Sequence, residues 1–252
     1  MAKGSRLQQA ADFEAVAAAG GALDSRRSLS DDVYDHMVEF VLTAGLAPDT
    51  HINVDSLARA WHVSQTPIRE ALVRAEEAGL VTREPLRGFR IAPVLSSAEF
   101  SQLMHLRILI EPYSAAEASK STDVTLIPTL EAHMAIMRQA RNKPGAQEFS
   151  AYMRADREFH DAIAAASGNR FVRLALSTTA VHAHRFRLFA SGRVDDASET
   201  VAEHSAVVDA LRVRNADAAS TAMYRHLVSV AERVYADFGP PRLAPVPQRQ
   251  MS

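Results

Sequence analysis

Residues 64–81 read SQTPIREALVRAEEAGLV. Ser64 is a residue type that caps the first backbone N–H groups of a helix, and Pro67 is tolerated only in a helix's first turn. The stretch is therefore a helix with a sharply defined start, Arg69 and Arg74 in its first turns, and Gly79 at its end. Upstream, Ser30 followed by Asp31 and Asp32 marks another helix start, and Val33, Met37, Phe40 and Val41 follow at helical spacing until Gly45 and Pro48. Ile52 to Ala60 reads as a short second helix with Val54, Leu57 and Ala58 inward, and Trp61-His62-Val63 turns the chain into Ser64. Downstream, Leu80-Val81-Thr82 and Phe89 to Val94 are β-prone runs around a polar tip at Glu84 to Gly88, which predicts a hairpin.

Three helices, a tight turn between the second and third, and a trailing hairpin make a winged helix-turn-helix. In that arrangement the third helix enters a DNA major groove N-terminus first, so its first residues reach base edges. Ser64, Gln65 and Thr66 are short polar groups suited to phosphate or base contact, with Arg69 on the same side. The helix N-terminus itself favours a phosphate. Arg87, Gly88 and Arg90 in the hairpin are placed to cross the adjacent backbone or minor groove. Charge argues in both directions. Residues 29–95 carry six Arg and no Lys against ten acidic residues, a poor balance for a DNA binder. The acids, however, gather in the first helix (Asp31, Asp32, Asp35, Glu39), and 59–90 holds six Arg against four Glu. A module mediating only protein contacts stays open on these residues, and Arg74 reads as a solvated or phosphate-contacting residue rather than a base reader.

The 252-residue chain suits two domains, and its 47% hydrophobic and 23% charged residues are those of a globular protein. It has no cysteine, which excludes disulfides and thiolate metal sites and leaves His and carboxylate as metal ligands. No apolar run approaches the roughly 20 residues of a membrane span, and the N-terminus lacks the order of a signal peptide, so no membrane partner and a cytoplasmic location are expected. The net charge of −2 gives no general pull toward nucleic acid, so that partner rests on local patches.

After Leu95 long helices follow: 97–120 with Pro112 as a kink, then 123–141, 146–166, 170–190, 196–213 and 216–237. Their breaks are Asn142 to Gly145, Ser167-Gly168-Asn169, Ser191-Gly192, Arg214-Asn215 and Gly239-Pro240-Pro241. The fold class is mainly α, a winged helix-turn-helix plus a six-helix antiparallel bundle. The corresponding domains are a flexible arm (1–28), the winged module (29–95), the bundle (96–238) and a disordered tail (239–252).

Asp156 and His160 stand at i and i+4, on one helix face. His204 and His226 each fall on an otherwise apolar or small face of the last two helices. Each lies about 11 residues from the turn between those helices, which puts them at one height in the bundle. Asp156, His160, His204 and His226 together would give a divalent first-row metal a nitrogen-rich site with room for water or a substrate oxygen. Any one of these histidines taken alone reads as a satisfied bundle histidine rather than a ligand. His182 and His184, at i and i+2, cannot both face a cavity, and Arg185 beside them is a cavity candidate. His36, His51, His105 and His133 read as surface or structural.

Val63 to Leu72, then Glu77-Ala78-Gly79-Leu80-Val81 and Arg87-Gly88-Phe89, resemble the DNA-binding domain of the GntR family of bacterial transcription regulators over about 65 residues. The resemblance implies that Ser64, Gln65, Thr66 and Arg69 contact operator DNA. Position 65 is commonly Arg in that family, so Gln65 implies a shift from a guanine-type contact to one suited to adenine. His62 stands where the family usually has Gly. Asp156-x-x-x-His160 with Gly168-Asn169, Glu203-His204 and His226-Leu227 is similar to the FCD effector domain of the FadR branch, and Leu106-Arg107 with Glu111 matches its opening segment. That likeness implies a divalent metal, zinc or nickel, held by the Asp and three His, with an organic acid effector beside it. It also implies that Arg107 helps hold the effector's carboxylate, against the simpler alternative of a salt bridge to Glu111 four residues on.

The expectation is a homodimeric regulator, a repressor that reads palindromic double-stranded operator DNA and is released by a small carboxylate. Two rivals remain at this level. One is a metal-dependent hydrolase using Glu203 or Glu158 near the metal, though no nucleophile elbow, phosphate loop or HExxH motif appears. The other is the same regulator with a purely structural metal.

Overall fold

The computed structural model describes residues 29–43, 46–140, 146–191 and 197–238. The arm (1–28), the tail (239–252), Gly45 and the breaks at 142–145 and Gly192 lie outside the described residues. The chain divides into two compact units, 1–94 and 95–252.

In the first unit, helices α1 (Leu29–Thr43), α2 (Val54–Ala60) and α3 (Gln65–Glu77) are joined by a three-stranded antiparallel sheet: β1 (His51–Ile52), β2 (Val81–Glu84) and β3 (Gly88–Ile91). The strand order is β1-β3-β2, with Ile52 opposite Phe89 and Val81 opposite Ile91. Strand β1 was not expected: two residues carry no periodicity, and Ile52 belongs to the sheet rather than to α2. Asn53 instead caps α2, accepting from the Ser56 N–H at 3.0 Å. Val33, Met37, Leu57, Ile68, Ala71, Leu72, Leu80 and Ile91 are buried together, and Trp61 sits edge-on to His36 and Phe40. The core thus fixes α3 by its inner face and leaves its opening residues outside.

Two cap expectations differ in detail. Ser64 is the N-cap of α3 with extended backbone, but its side chain makes no cap hydrogen bond. Ser30 lies inside α1 and gives its hydroxyl to Glu70 Oε2 at 3.2 Å, a tie to α3 rather than a cap. His62 has φ +55°, in the left-handed region that favours glycine, which accounts physically for the glycine expected there. His62→Gly is therefore expected to stabilise the unit by up to about 1 kcal/mol, because relief of left-handed strain exceeds glycine's extra unfolded entropy. Urea denaturation would read the gain as a higher midpoint at unchanged slope.

The second unit holds α4 (Ser97–Ala118), α5 (Leu126–Ala140), α6 (Ala146–Ala166), α7 (Arg170–Ser191), α8 (Ala197–Arg212) and α9 (Ala216–Phe238). A capping box starts α4: the Ser96 hydroxyl accepts from the Glu99 N–H, and Glu99 accepts from the Ser96 N–H at 2.8 Å. The helix runs on through Pro112. Gly168 (φ +71°) turns the chain after α6, and Asn169 caps α7 by accepting from the N–H groups of Phe171 and Val172. Arg214 (φ +55°) and Asn215 make the α8–α9 turn, Asn215 accepting from the Ala218 N–H at 3.0 Å. Helix α4 packs chiefly on α9, α5 on α6 and α8, and α8 on α9. Phe100, Phe159, Met104, Leu130, Val207, Met223 and Leu227 fill the core, with Phe100 stacked on Phe186. Buried among them are Arg107, Glu111, Asp156, His160, Arg185, His204 and His226.

Candidate DNA-binding tip and histidine centre

The start of α3 is exposed: Ser64, Gln65, Thr66 and Arg69 face solvent while Pro67, Ile68, Ala71 and Leu72 are buried. Gln65 is oriented at both ends of its amide. Its Nε2 donates to Asp55 Oδ1 on α2, and its Oε1 accepts from Arg69 Nη2 at 3.4 Å. Reading adenine with both ends, as the sequence suggests, requires Gln65 to exchange these partners. Arg74 turns away from the tip. Its guanidinium lies 4.0 Å over the Tyr34 ring and 3.1 Å from Asp31, so it fastens α3 to α1.

On the wing, Leu86 and Arg87 are exposed at the tip, and the Arg87 carbonyl is 2.9 Å from His51 Nε2. Arg90, named from sequence as a DNA contact, is engaged within the first unit. Its guanidinium stands 2.9 Å from Glu84 Oε2 and donates to the Asp49 carbonyl at 2.8 Å, bracing the sheet. Strand alternation explains this, because Arg87 lies at the tip whereas Arg90 pairs across β3 with β2.

In the bundle the antiparallel α8 and α9 bring the Nε2 atoms of His204 and His226 to 3.3 Å. The His160 ring lies 5.2 Å from that of His204 and 5.3 Å from that of His226, centroid to centroid. One ligand nitrogen from each of the three lies within 4.8 Å of the others. Asp156 Oδ1 is 3.6 Å from His204 Nε2. A tetrahedral ion with metal–nitrogen bonds near 2.05 Å spaces two ligand nitrogens by about 3.3 Å, matching the His204–His226 pair. His160 Nε2 is buried without a hydrogen-bond partner, the kind of orphan a metal would satisfy. Burial pushes His204 well below its ordinary value and also lowers His226, so both imidazoles are neutral, as ligation requires. By donor set and spacing the residues fit a divalent ion.

The other expected residues fall less simply. Arg107 is buried and its Nε donates to Glu111 Oε1, so the simple salt bridge is the contact the structure displays and no ligand-facing role is visible. Arg185 is buried on α7, and burial lowers its guanidinium to about 10. His182 is half-buried, and the side chain of His184 lies outside the described residues. Glu158 points to His133 Nδ1 at 3.4 Å rather than to the histidine cluster. Glu203 is engaged by His226 Nδ1 and by Arg233. Sequence reasoning missed Glu111 and Arg233 as parts of this centre. The signal for Arg233 was its spacing of seven from His226, two turns along one face.

A groove of about 600 Å³ lies along α8 and α9, with Glu203, Arg225, His226 and Ser229 in its walls.

A recognition helix exposed at its N-terminus and flanked by a wing defines a DNA-binding head, here joined in one chain to a helical unit with a buried polar centre. Residues 29–91 match the bacterial regulatory proteins, gntR family, and residues 102–229 match the FCD domain: the chain is a GntR-family DNA-binding transcriptional regulator with an FCD domain. It is 28% identical over 203 residues to an uncharacterised HTH-type transcriptional regulator in an unstable DNA locus of Streptomyces ambofaciens, covering 81% of this chain and 84% of that one. It is 22% identical over 212 residues to the HTH-type transcriptional repressor RspR of Escherichia coli, covering 84% and 91%. Among solved structures, E. coli McbR/YncC shares the fold at TM-score 0.71 and 17% identity over 84% of this chain and all of that one. A GntR transcriptional regulator from Rhodococcus sp. RHA1 does so at 0.66 and 15%, over 83% and 99%. The family and these relatives are regulators, not enzymes. Regulators of the family bind operator DNA and typically act as dimers, and in this chain a three-histidine cluster could hold a metal.

Proposed function

We propose that this protein is a homodimeric repressor that releases a palindromic operator when a small organic acid enters the helical domain beside a bound divalent metal, zinc or nickel. Residues 29–95 serve as the DNA-binding domain and 96–238 as the effector domain, with 1–28 as an arm and 239–252 as a tail. The observation that carries the reading is the convergence of three buried imidazoles in a unit joined to an exposed recognition tip. Ser64, Gln65, Thr66, Arg69 and Arg87 contact the operator, while Arg90 acts through the sheet. Asp156, His160, His204 and His226 would hold the ion, which supplies a Lewis-acid centre for the effector's carboxylate. Arg185 is a buried arginine whose positive charge favours an anionic guest, and Arg107, which the family likeness implies for the effector, is paired with Glu111. The repressor sign is supported by RspR, and the location is cytoplasmic, where operator DNA lies; no helix among the described residues is long and apolar enough to cross a membrane.

Dimerisation is supported by an exposed apolar row on α4, Leu106, Leu109 and Tyr113, with Phe171 and Leu174 exposed on α7, a helix packed against α4. Leu109→Asp is expected to give a monomer by light scattering and to weaken binding to a palindrome at least tenfold, because two half-sites are no longer held together. The deciding experiment selects DNA from a random pool and titrates small carboxylates against the selected palindrome with metal-loaded protein. Release by one acid class supports the proposal; a failure to prefer any palindrome over random DNA refutes it.

A further inference from the structure

Two of the three imidazoles are held from behind by the same kind of chain. On one side Arg107 Nε donates to Glu111 Oε1, while Glu111 Oε2 stands 2.6 Å from His160 Nδ1. On the other, Arg233 donates to Glu203 through Nη1 at 2.6 Å and Nη2 at 3.1 Å, and Glu203 Oε2 is 2.8 Å from His226 Nδ1. The first chain joins α4 to α6, the second α8 to α9. Of the two contacts, the one from Glu203 has hydrogen-bond geometry, whereas Glu111 and His160 form a short ion-pair contact in which Nδ1 makes no hydrogen bond; His204 Nδ1 is likewise buried without a hydrogen-bond partner, and its ring lies flat on Phe159 at 4.0 Å.

A carboxylate on Nδ1 takes that nitrogen's proton as a hydrogen bond and leaves the Nε2 lone pair directed inward. A buried ion pair by itself does little for stability that an apolar pair would not do. Two such pairs, on different helices, that both end on the Nδ1 of a clustered histidine serve orientation.

We infer that Glu111 and Glu203 are positioning residues that fix His160 and His226 as Nε2-directed metal ligands, Arg107 and Arg233 holding each carboxylate in place, while the His204 ring is oriented by its packing on Phe159. This inference rests on the metal reading above and goes beyond the ligand set to what aims it. It also gives Arg107 a task other than grasping the effector.

The test titrates cobalt(II) into metal-stripped full-length protein against a competing chelator and records proton spectra of the loaded protein in water, where exchangeable Nδ1–H signals of ligated imidazoles are displaced. Glu203→Ala, at the groove wall where water can replace the side chain, is expected to weaken cobalt binding about 10- to 100-fold. Glu203→Gln, which keeps an acceptor, falls between it and the wild type. Glu111→Gln weakens binding about tenfold and moves a different Nδ1–H signal from the one moved by the Glu203 variants. Should Glu111→Gln not fold, the Glu203 pair decides. Variants that bind cobalt within twofold of the wild type, with their signals unmoved, overturn this inference alone. A wild-type protein that takes up no cobalt overturns the metal reading and this inference with it.

Discussion

Arg69→Ala is expected to weaken operator binding by about 10- to 100-fold, a loss of about 1–3 kcal/mol, while leaving the fold intact. Three observations single out this arginine. It is exposed on the same side as Ser64, Gln65 and Thr66, one turn into the recognition helix. The other arginine of α3, Arg74, is committed to Tyr34 and Asp31, and Arg90 of the wing to Glu84 and Asp49. Arg69 itself touches Gln65 at 3.4 Å, a long contact that DNA can displace. An exposed side chain of this kind contributes little to folding, so thermal stability should change by less than about 0.5 kcal/mol. Fluorescence anisotropy over a range of salt then separates two roles. If Arg69 reads a base, the loss concentrates on one operator position. If it holds a phosphate, the loss is uniform across sequences and the salt slope falls by about one. Equal affinity of Arg69→Ala and wild type for the selected operator would remove the recognition tip from the proposal.

The same residues show what a sequence can disclose. Helix ends were legible because they are written in local chemistry: Pro67 and Gly79 around α3, Gly168-Asn169 after α6, and Arg214-Asn215 before α9 each act within a few residues. The meeting of His204 and His226 was legible too, because a short turn forces antiparallel helices and equal distances from it fix equal heights. Strand β1 was not, since its existence depends on Phe89 and Arg90 arriving from nearly 40 residues away. The contacts of Arg90 were hidden for a related reason. A basic residue near a wing tip looks the same in sequence whether it faces DNA or an acid across the sheet, and only the pairing with β2 brings Glu84 beside it. The carboxylates behind the histidines were hidden most deeply. Glu203 precedes His204 in sequence yet serves His226 on the next helix, and Glu111 serves His160 two helices on. Adjacent residues on a helix face different ways, so the nearest acid in sequence is seldom the partner in space.

Loading the protein with zinc should raise its thermal midpoint by about 5–10 °C at a hundredfold excess of free metal over the dissociation constant, since binding to the native state alone adds about 2.7 kcal/mol there. The physical source is the buried centre itself. His226 has its Nδ1 on Glu203 and meets the Nε2 of His204 at 3.3 Å, and His160 Nε2 is buried without a hydrogen-bond partner. An ion would satisfy the three Nε2 atoms at once, and the unfolded chain has no preformed equivalent. His204→Ala should abolish the metal-induced shift. Because His204 is fully buried against Phe159, the variant also loses packing and starts from a lower midpoint, so the response to metal, not the midpoint, is the readout. Calorimetry with and without chelator measures it. The operator then distinguishes a sensing ion from a structural one. If the metal receives the effector, chelated protein that is still folded keeps its grip on the operator when carboxylate is added. If the metal only pins α6, α8 and α9, chelated protein melts earlier but releases the operator at the same carboxylate concentration as before. A wild-type midpoint that zinc does not move would end both versions.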